Sequence, residues 1–340
     1  MKICICGGGN LGHVIAGFIA SQGLYDVYVL TRNPDSWSCD LIVETPSGAE
    51  FSGHLSGIYK DAHQAVANAD IVLLCLPGYA IREVLIQIKN YLSPKTAVGS
   101  VVSSTGFFFE AMDILSDETI LFGFHRTPFI SRIVEYGHRV RLLGYKKKLN
   151  VAIERARYPE VICNSLEKMF KTYVQLQRNF YEVTLSNSNP LLHPARLYDL
   201  WSEWHEGMVY QKEPLFYEEW TERAASLYIA MDEELQHLLK ILPVEPGSIP
   251  TVLEYYESTD AASLAMKLRS IEAFKGIKAP MKKLEDGYLP NFQSRYFTED
   301  FPFGLAIIQR LAKEKGITTP IIDQVCIWGM GKIETNKTPK

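Results

Sequence analysis

The sequence predicts an α/β protein: a doubly wound parallel sheet over residues 1–184, followed by a mostly α-helical domain over residues 185–340. Three observations predict it. Short apolar strands alternate with helical segments through the first half, the pattern of a parallel sheet. A glycine loop joins the first strand to the first helix. Beyond about residue 184 the periodicity turns helical and strand-like runs become scarce. The length of 340 residues suits two domains at roughly 100–200 residues each.

Residues 2–6, KICIC, form the first apolar strand, and GGGNLGH at 7–13 leads into the helix VIAGFIASQG, which closes at Gly23. DVYVLTR at 26–32 is the next strand, completing a β-α-β unit. DLIVETPSGAEFSG at 40–53 alternates apolar and polar residues around PSG and reads as an inserted hairpin. HQAVANADIVLLCLPG supplies a helix and a buried strand ending at Leu76. REVLIQIKNYL is helical, and TAVGSVVSS, TILFGFH and RVRLLGYKKKLNVAIE are further strands. From Ala195 to Leu242, ARLYDLWSEW and EEWTERAASLYIAMDEELQHLLKIL are helical, with more helices near 260–274 and 303–315. LPVEPGSIP at 242–250 is a loop, and the tail KIETNKTPK is expected to fray. Trp201 and Trp204, three apart, read as one packed helix face.

Composition narrows the function. Hydrophobic residues make up 47% and charged residues 22%, with a net charge of −4 and the charges mixed along the chain. Nucleic acid or an anionic membrane as partner is disfavoured, since both want a basic patch. The six cysteines (Cys4, Cys6, Cys39, Cys75, Cys163, Cys326) include no C-x-x-C pair, so no metal or redox site is expected. They read as small buried hydrophobes, with Cys4 and Cys6 expected on opposite faces of their strand. The first apolar run breaks at Gly7, too early for a signal peptide. IVLLCLP, the longest run, is far below the ~20 residues that cross a bilayer. A cytoplasmic protein is expected; an oligomer is possible.

Gly7, Gly9 and Gly12 fit G-x-G-x-x-G between a strand and a helix, the context that makes this spacing a Rossmann dinucleotide-binding signal. The first glycine permits the tight turn, the second lets backbone approach a pyrophosphate, and the third lets helix and strand pack closely. The helix N-terminus offers unpaired N–H groups to the phosphates. Asn10 and Leu11 complete the loop, and Leu76 and Pro77 lie at the end of a later strand on the same sheet edge. At the end of the second strand LTRNP holds Thr31 and Arg32 and no acid. An acid there would bond the NAD ribose, whereas Arg accommodates the 2′-phosphate of NADP. NADP is the expected cofactor, with NAD possible; FAD enzymes usually need longer chains.

SNSNPLLHPARLY at 186–198 contains His193 four residues after Asn189. A helix starting at Pro190 puts both near its N-terminus on one side. Asn189 can then be merely the N-cap and His193 an ordinary helix residue. A second stretch, QSRYFTEDFPFGLAIIQRLA at 293–312, places Arg295, Glu299 and Asp300 ahead of an apolar helix. Hydride chemistry at a carbonyl or imine needs a group that gives or takes a proton, and His does this near neutral pH. An Asp hydrogen-bonded to it fixes the tautomer, and an Arg offers a fork for a substrate carboxylate. Arg126 and Arg132, in FHRTPFISRI, are further candidates for a carboxylate or else strand-end surface charges.

Taken together, GGGNLGH, SNSNPLLHPARL and SRYFTEDFPFGLAIIQRLAKEKGITTPIIDQV resemble the octopine/nopaline (opine) dehydrogenases over nearly the whole chain. The resemblance implies a Rossmann domain with a helical catalytic domain. It implies reductive condensation of an amino acid with a 2-oxo acid by NADH or NADPH. It also implies that His193 is the acid/base, Asp300 its partner, and Asn189 and Arg295 substrate contacts. Two departures stand out. Phe301 replaces a common Val and would make a bulkier wall, and residues 201–220 match nothing assignable, which leaves the amino acid unread. A 2-oxo or 2-hydroxy acid reductase, and a sensor that holds NADP without turnover, are the alternatives.

Overall fold

The structure, a computed structural model, describes residues 1–335; the end of the tail, 336–340, lies outside the described residues. Two compact units are present, Met1–Ser186 and Asn187–Lys340.

The strands of the first unit are β1 (Lys2–Cys6), β2 (Asp26–Leu30), β3 (Asp40–Glu44), β4 (Glu50–His54), β5 (Gly57–Tyr59), β6 (Ile71–Leu74), β7 (Ala97–Ser100), β8 (Ile120–Phe124), β9 (Phe129–Glu135), β10 (Arg139–Tyr145), β11 (Lys148–Glu154) and β12 (Tyr173–Leu176). Its helices are α1 (Asn10–Ala20), α2 (Ala62–Val66), α3 (Gly78–Ile88), α4 (Phe107–Ile114), α5 (Pro159–Phe170) and α6 (Phe180–Leu185). Eight strands form the main sheet in the order β12-β11-β8-β7-β6-β1-β2-β5. The order reverses at β1, which pairs in parallel with both β2 and β6. This is the switch point of a doubly wound sheet, where ligands gather beyond the strands' C-terminal ends. Strand side chains alternate between two cores. Ile3 and Ile5 enter one, Cys4 and Cys6 the other. Residues two apart on a strand share a face, and the Cys4 and Cys6 Sγ atoms lie 3.9 Å apart. The opposite-face expectation for that pair is thereby corrected.

Three other features differ from the sequence reading. The strand expected to end at Leu76 stops at Leu74. Pro77, which has no N–H to give a ladder, precedes α3 as its N-cap residue. β11 runs antiparallel to β8, so the main sheet is not wholly parallel. The predicted hairpin exists as β3 and β4, but β3 also pairs with β10 to make a second sheet, β4-β3-β10-β9.

The second unit contains α7 (Asn189–Trp201), α8 (Glu222–Leu239), α9 (Val252–Tyr255), α10 (Ala261–Ser270), the small hairpin β13 (Met281–Lys283) and β14 (Tyr288–Pro290), α11 (Arg295–Thr298), α12 (Ala306–Glu314) and α13 (Pro320–Thr335). A single π-helical turn, Phe301–Leu305, precedes α12. α8 begins later than its apolar pattern because Thr221 caps it, accepting from the Ala224 N–H. α13 was not anticipated, and it carries Lys332–Thr335, part of the tail expected to fray. Trp201 is buried at the end of α7, whereas Trp204 lies beyond the helix with its ring 5.2 Å from Phe292.

Candidate active site

The glycine loop is built by close approach of backbone. Gly7 has φ +124°, a conformation that favours glycine. A Cβ there would sit 2.6 Å from the Cys75 carbonyl oxygen, and one on Gly12 would sit 1.9 Å from the Gly7 oxygen. Gly12 therefore lets α1 rest directly on the loop. Gly9 has nothing within 4 Å of the same position, so open space lies over the middle of the turn. No side chain caps the first turn of α1, which leaves its N–H groups for an anion. These residues fit a dinucleotide's pyrophosphate. Thr31 is buried at the end of β2 and Arg32 beside it is exposed, while Leu11, Leu76 and Pro77 are half-buried. The Asn10 side chain is held in place by its Oδ1, which accepts the Ile133 N–H at 2.8 Å.

His13 supports this loop, and sequence reasoning missed it although it closes the GGGNLGH motif. Its Nδ1–H donates to the Gly9 carbonyl at 2.9 Å and its Nε2 accepts the Gly137 N–H at 2.8 Å. Burial holds its pKa below the ordinary value, and the bond to Gly9 pulls the other way.

In the second unit, Pro190 stands in the first turn of α7 and His193 one turn further on. The N-cap residue is Ser188, not Asn189, and it makes no side-chain cap. His193 Nδ1 lies 2.7 Å from Asp300 Oδ2, across 107 residues of chain. Its Nε2 lies 3.0 Å from the Tyr217 hydroxyl. The partners assign the tautomer: Nδ1–H donates to the carboxylate, and neutral Nε2 accepts from the phenol. A glycine permits this approach too. A Cβ on Gly304 would meet the Pro190 ring at 2.8 Å, so the turn that follows Asp300 packs flush on the start of α7. His193 is only 7% exposed. Tyr296 stands edge-on at 4.6 Å and Phe216 at 5.7 Å. A buried imidazole with a fixed tautomer and a carboxylate partner can give and take a proton at its far nitrogen.

Known proteins fit both halves. A family model described as "NAD/NADP octopine/nopaline dehydrogenase, alpha-helical domain" matches residues 176–332. Another, "NADP oxidoreductase coenzyme F420-dependent", matches residues 2–103. Opine dehydrogenase of Haliotis discus hannai is 29% identical, over 96% of this chain and 89% of that one. A solved octopine dehydrogenase with NADH and L-arginine is 27% identical, with a TM-score of 0.87 over 98% of this chain and 90% of its own. Octopine dehydrogenase with NADH and pyruvate superposes at 0.86, 27% identical, over 98% of this chain and 89% of that one. The chain belongs to the octopine/nopaline dehydrogenase family. It is an NAD(P)-dependent oxidoreductase.

The other candidate residues are placed as follows. Asn189 is half-buried in the first turn of α7, four residues before His193. Arg295 opens α11 and is exposed. Arg126 follows β8, and Arg132 lies exposed on β9 of the second sheet. Phe301 is fully buried, parallel to Phe297 at 5.3 Å and close to Trp328. It packs where Gly329 leaves room for its ring, so it is core and not a pocket wall. Tyr217, Tyr296 and Arg196 were missed. Arg196 is buried three residues after His193, and its Nε–H donates to the Phe216 carbonyl at 2.9 Å while Nη1 donates to Asp199 at 2.9 Å. That grip holds the segment carrying Tyr217. The HPAR run was the available signal, since a buried Arg must find acceptors. Among the described residues no cluster of His, Cys, Asp and Glu could hold a metal ion, and no helix is long and apolar enough to cross a membrane.

Proposed function

We propose that His193 moves the proton in the reductive condensation of an amino acid with a 2-oxo acid, the reaction of this enzyme class. The observation that carries this reading is the part-buried Nδ1···Oδ2 contact of 2.7 Å between His193 and Asp300. Asp300 keeps one proton on Nδ1 and so leaves Nε2 as the nitrogen that takes up and gives the other. Arg295, exposed at the start of α11, docks the oxo acid's carboxylate, and Asn189 contacts the substrate. Arg132 and Arg126 are secondary candidates for a carboxylate. Gly7, Gly9, Asn10, Leu11 and Gly12 hold the dinucleotide with Leu76 and Pro77. Arg32 and Thr31 favour NADP through its 2′-phosphate. The bound nicotinamide supplies the hydride. The six free cysteines suit a reducing, cytoplasmic compartment.

Support for two substrates comes from the octopine dehydrogenase structures with L-arginine and with pyruvate. The test is an assay with NADPH, pyruvate and a pool of amino acids. Oxidation of NADPH that needs both partners is the expected result. Oxidation with the oxo acid alone makes the enzyme a simple reductase, and tight binding without turnover makes the protein a sensor.

A further inference from the structure

Both ring nitrogens of His193 are occupied: Nδ1 by Asp300 and Nε2 by the Tyr217 hydroxyl. A substrate reaches the imidazole proton either by ousting that phenol or through it. The packing of Tyr217 favours the second. Its ring lies parallel to Phe274 at 4.0 Å and to Trp220 at 6.1 Å, and stands edge-on to Phe216 at 4.9 Å. The residue is 5% exposed, and its segment is pinned at Phe216, whose N–H donates to the Ile277 carbonyl and whose carbonyl accepts from Arg196. Swinging the ring out would forfeit these contacts. Turning the hydroxyl hydrogen about the C–O bond forfeits none of them, and a hydroxyl can accept one hydrogen bond while donating another.

We propose that Tyr217 is a catalytic residue that relays the proton between His193 Nε2 and the substrate. This rests on His193 being the acid/base. In the reductive direction, hydride adds to the imine carbon and the C=N π pair passes to nitrogen. That nitrogen takes the proton from Tyr217 Oη. The phenol is restored by the Nε2–H proton of the imidazolium, taken up from solvent before the step, and the imidazole ends neutral with Nδ1–H still donated to Asp300. One hydride and one proton are consumed, and no charge is left on the phenol. Burial, with Tyr296, Tyr256 and the Asp300 carboxylate nearby, pushes the phenol's pKa up, so between turnovers the hydroxyl keeps the proton it must pass on.

The test compares Tyr217→Phe with His193→Gln. Phe preserves the ring contacts and removes only the hydroxyl. The relay predicts that Tyr217→Phe lowers kcat by about 10²–10³-fold, within the range for a positioned acid/base group, with KM little changed. It also predicts a displaced kcat–pH profile and, in the ligand-free protein, an altered NMR titration of the His193 ring. If Tyr217→Phe keeps the wild-type rate and profile while His193→Gln is inactive, the relay is wrong and the acid/base role stands. A faster variant with lower KM also overturns it, because the phenol then merely blocks Nε2. If both variants keep full activity, the role of His193 itself falls. Should Tyr217→Phe not fold, 3-fluorotyrosine incorporated at Tyr217 keeps the ring and makes the phenol more acidic. The relay requires its kcat–pH profile to shift, and superposition on the wild type refutes it.

Discussion

The glycine loop and the histidine site solve the same problem, close approach, by opposite means. At the loop, Gly7 and Gly12 come from one run of six residues, and the clash they avoid is backbone on backbone, 1.9 Å from a Gly12 Cβ to the Gly7 oxygen. At the histidine, Gly304 avoids the Pro190 ring at 2.8 Å, and the groups brought together lie 107 residues apart. In the proposed function, the first site offers main-chain N–H groups to charge that is already present on a ligand, and the second offers side chains that change protonation during the reaction. A loop of the first kind depends on local conformation, whereas the second depends on the packing of α7, the 215–220 segment and the turn after Asp300.

If these are separable machines, damage to one should spare the other. The largest expected effect is His193→Ala, which should cut turnover by about 10²–10⁴-fold while the NADPH dissociation constant, read by fluorescence titration, stays within twofold. Parallel loss of both would make His193 a structural residue and erase the distinction. Gly12→Ala should act the other way. The methyl would meet a carbonyl oxygen that cannot retreat without lifting α1 from the loop, at a cost of about 1–3 kcal/mol for overpacking. Dinucleotide affinity should be lost and the melting temperature should fall, while the His193–Asp300 hydrogen bond, followed by its downfield proton resonance, should persist.

The same contrast explains what the sequence made legible. The loop could be read because spacing, a preceding strand and a following helix are all local. His193 and Asp300 could be nominated by their chemistry, yet they stand 107 positions apart and nothing between them states that they meet; the family resemblance supplied that pairing. Tyr217 was invisible because its position is set by Arg196 and Phe274, which are distant from it in sequence. The pairing of β3 with β10 was unreadable for a similar reason: alternation identifies a strand but not its partner. Phe301 misled because an aromatic next to a candidate catalytic residue looks like a pocket wall, while the gap at Gly329 draws it into the core.

Within the dinucleotide unit, Arg32 sharpens the comparison at a smaller scale, because it is the one expected contact to the dinucleotide made by a charged side chain. Arg32→Ala should weaken NADPH by about tenfold to a hundredfold, the worth of a charge-assisted hydrogen bond, and should leave NADH nearly unaffected. Equal weakening of both would remove the 2′-phosphate contact from Arg32.

The smallest effect concerns a partly buried histidine, His125, just past the end of β8. Its ring lacks what His193 has, since Nε2 is buried without a hydrogen-bond partner. Burial, reinforced by the Arg126 charge, lowers its pKa to about 4. The unfolded chain, with an imidazole near 6.5, then binds more protons than the folded one as pH falls below that value. The contribution of His125 to stability is whole above pH ~6.5 and drains away between there and about 4. From pH 7.5 to 5.5 the loss amounts to about 1 kcal/mol. Urea unfolding of the wild type and His125→Gln at those two pH values should show the wild type losing about that much more. Parallel losses would mean that His125 titrates alike in both states, and that an imidazole at this strand end does not need a carboxylate to remain charged.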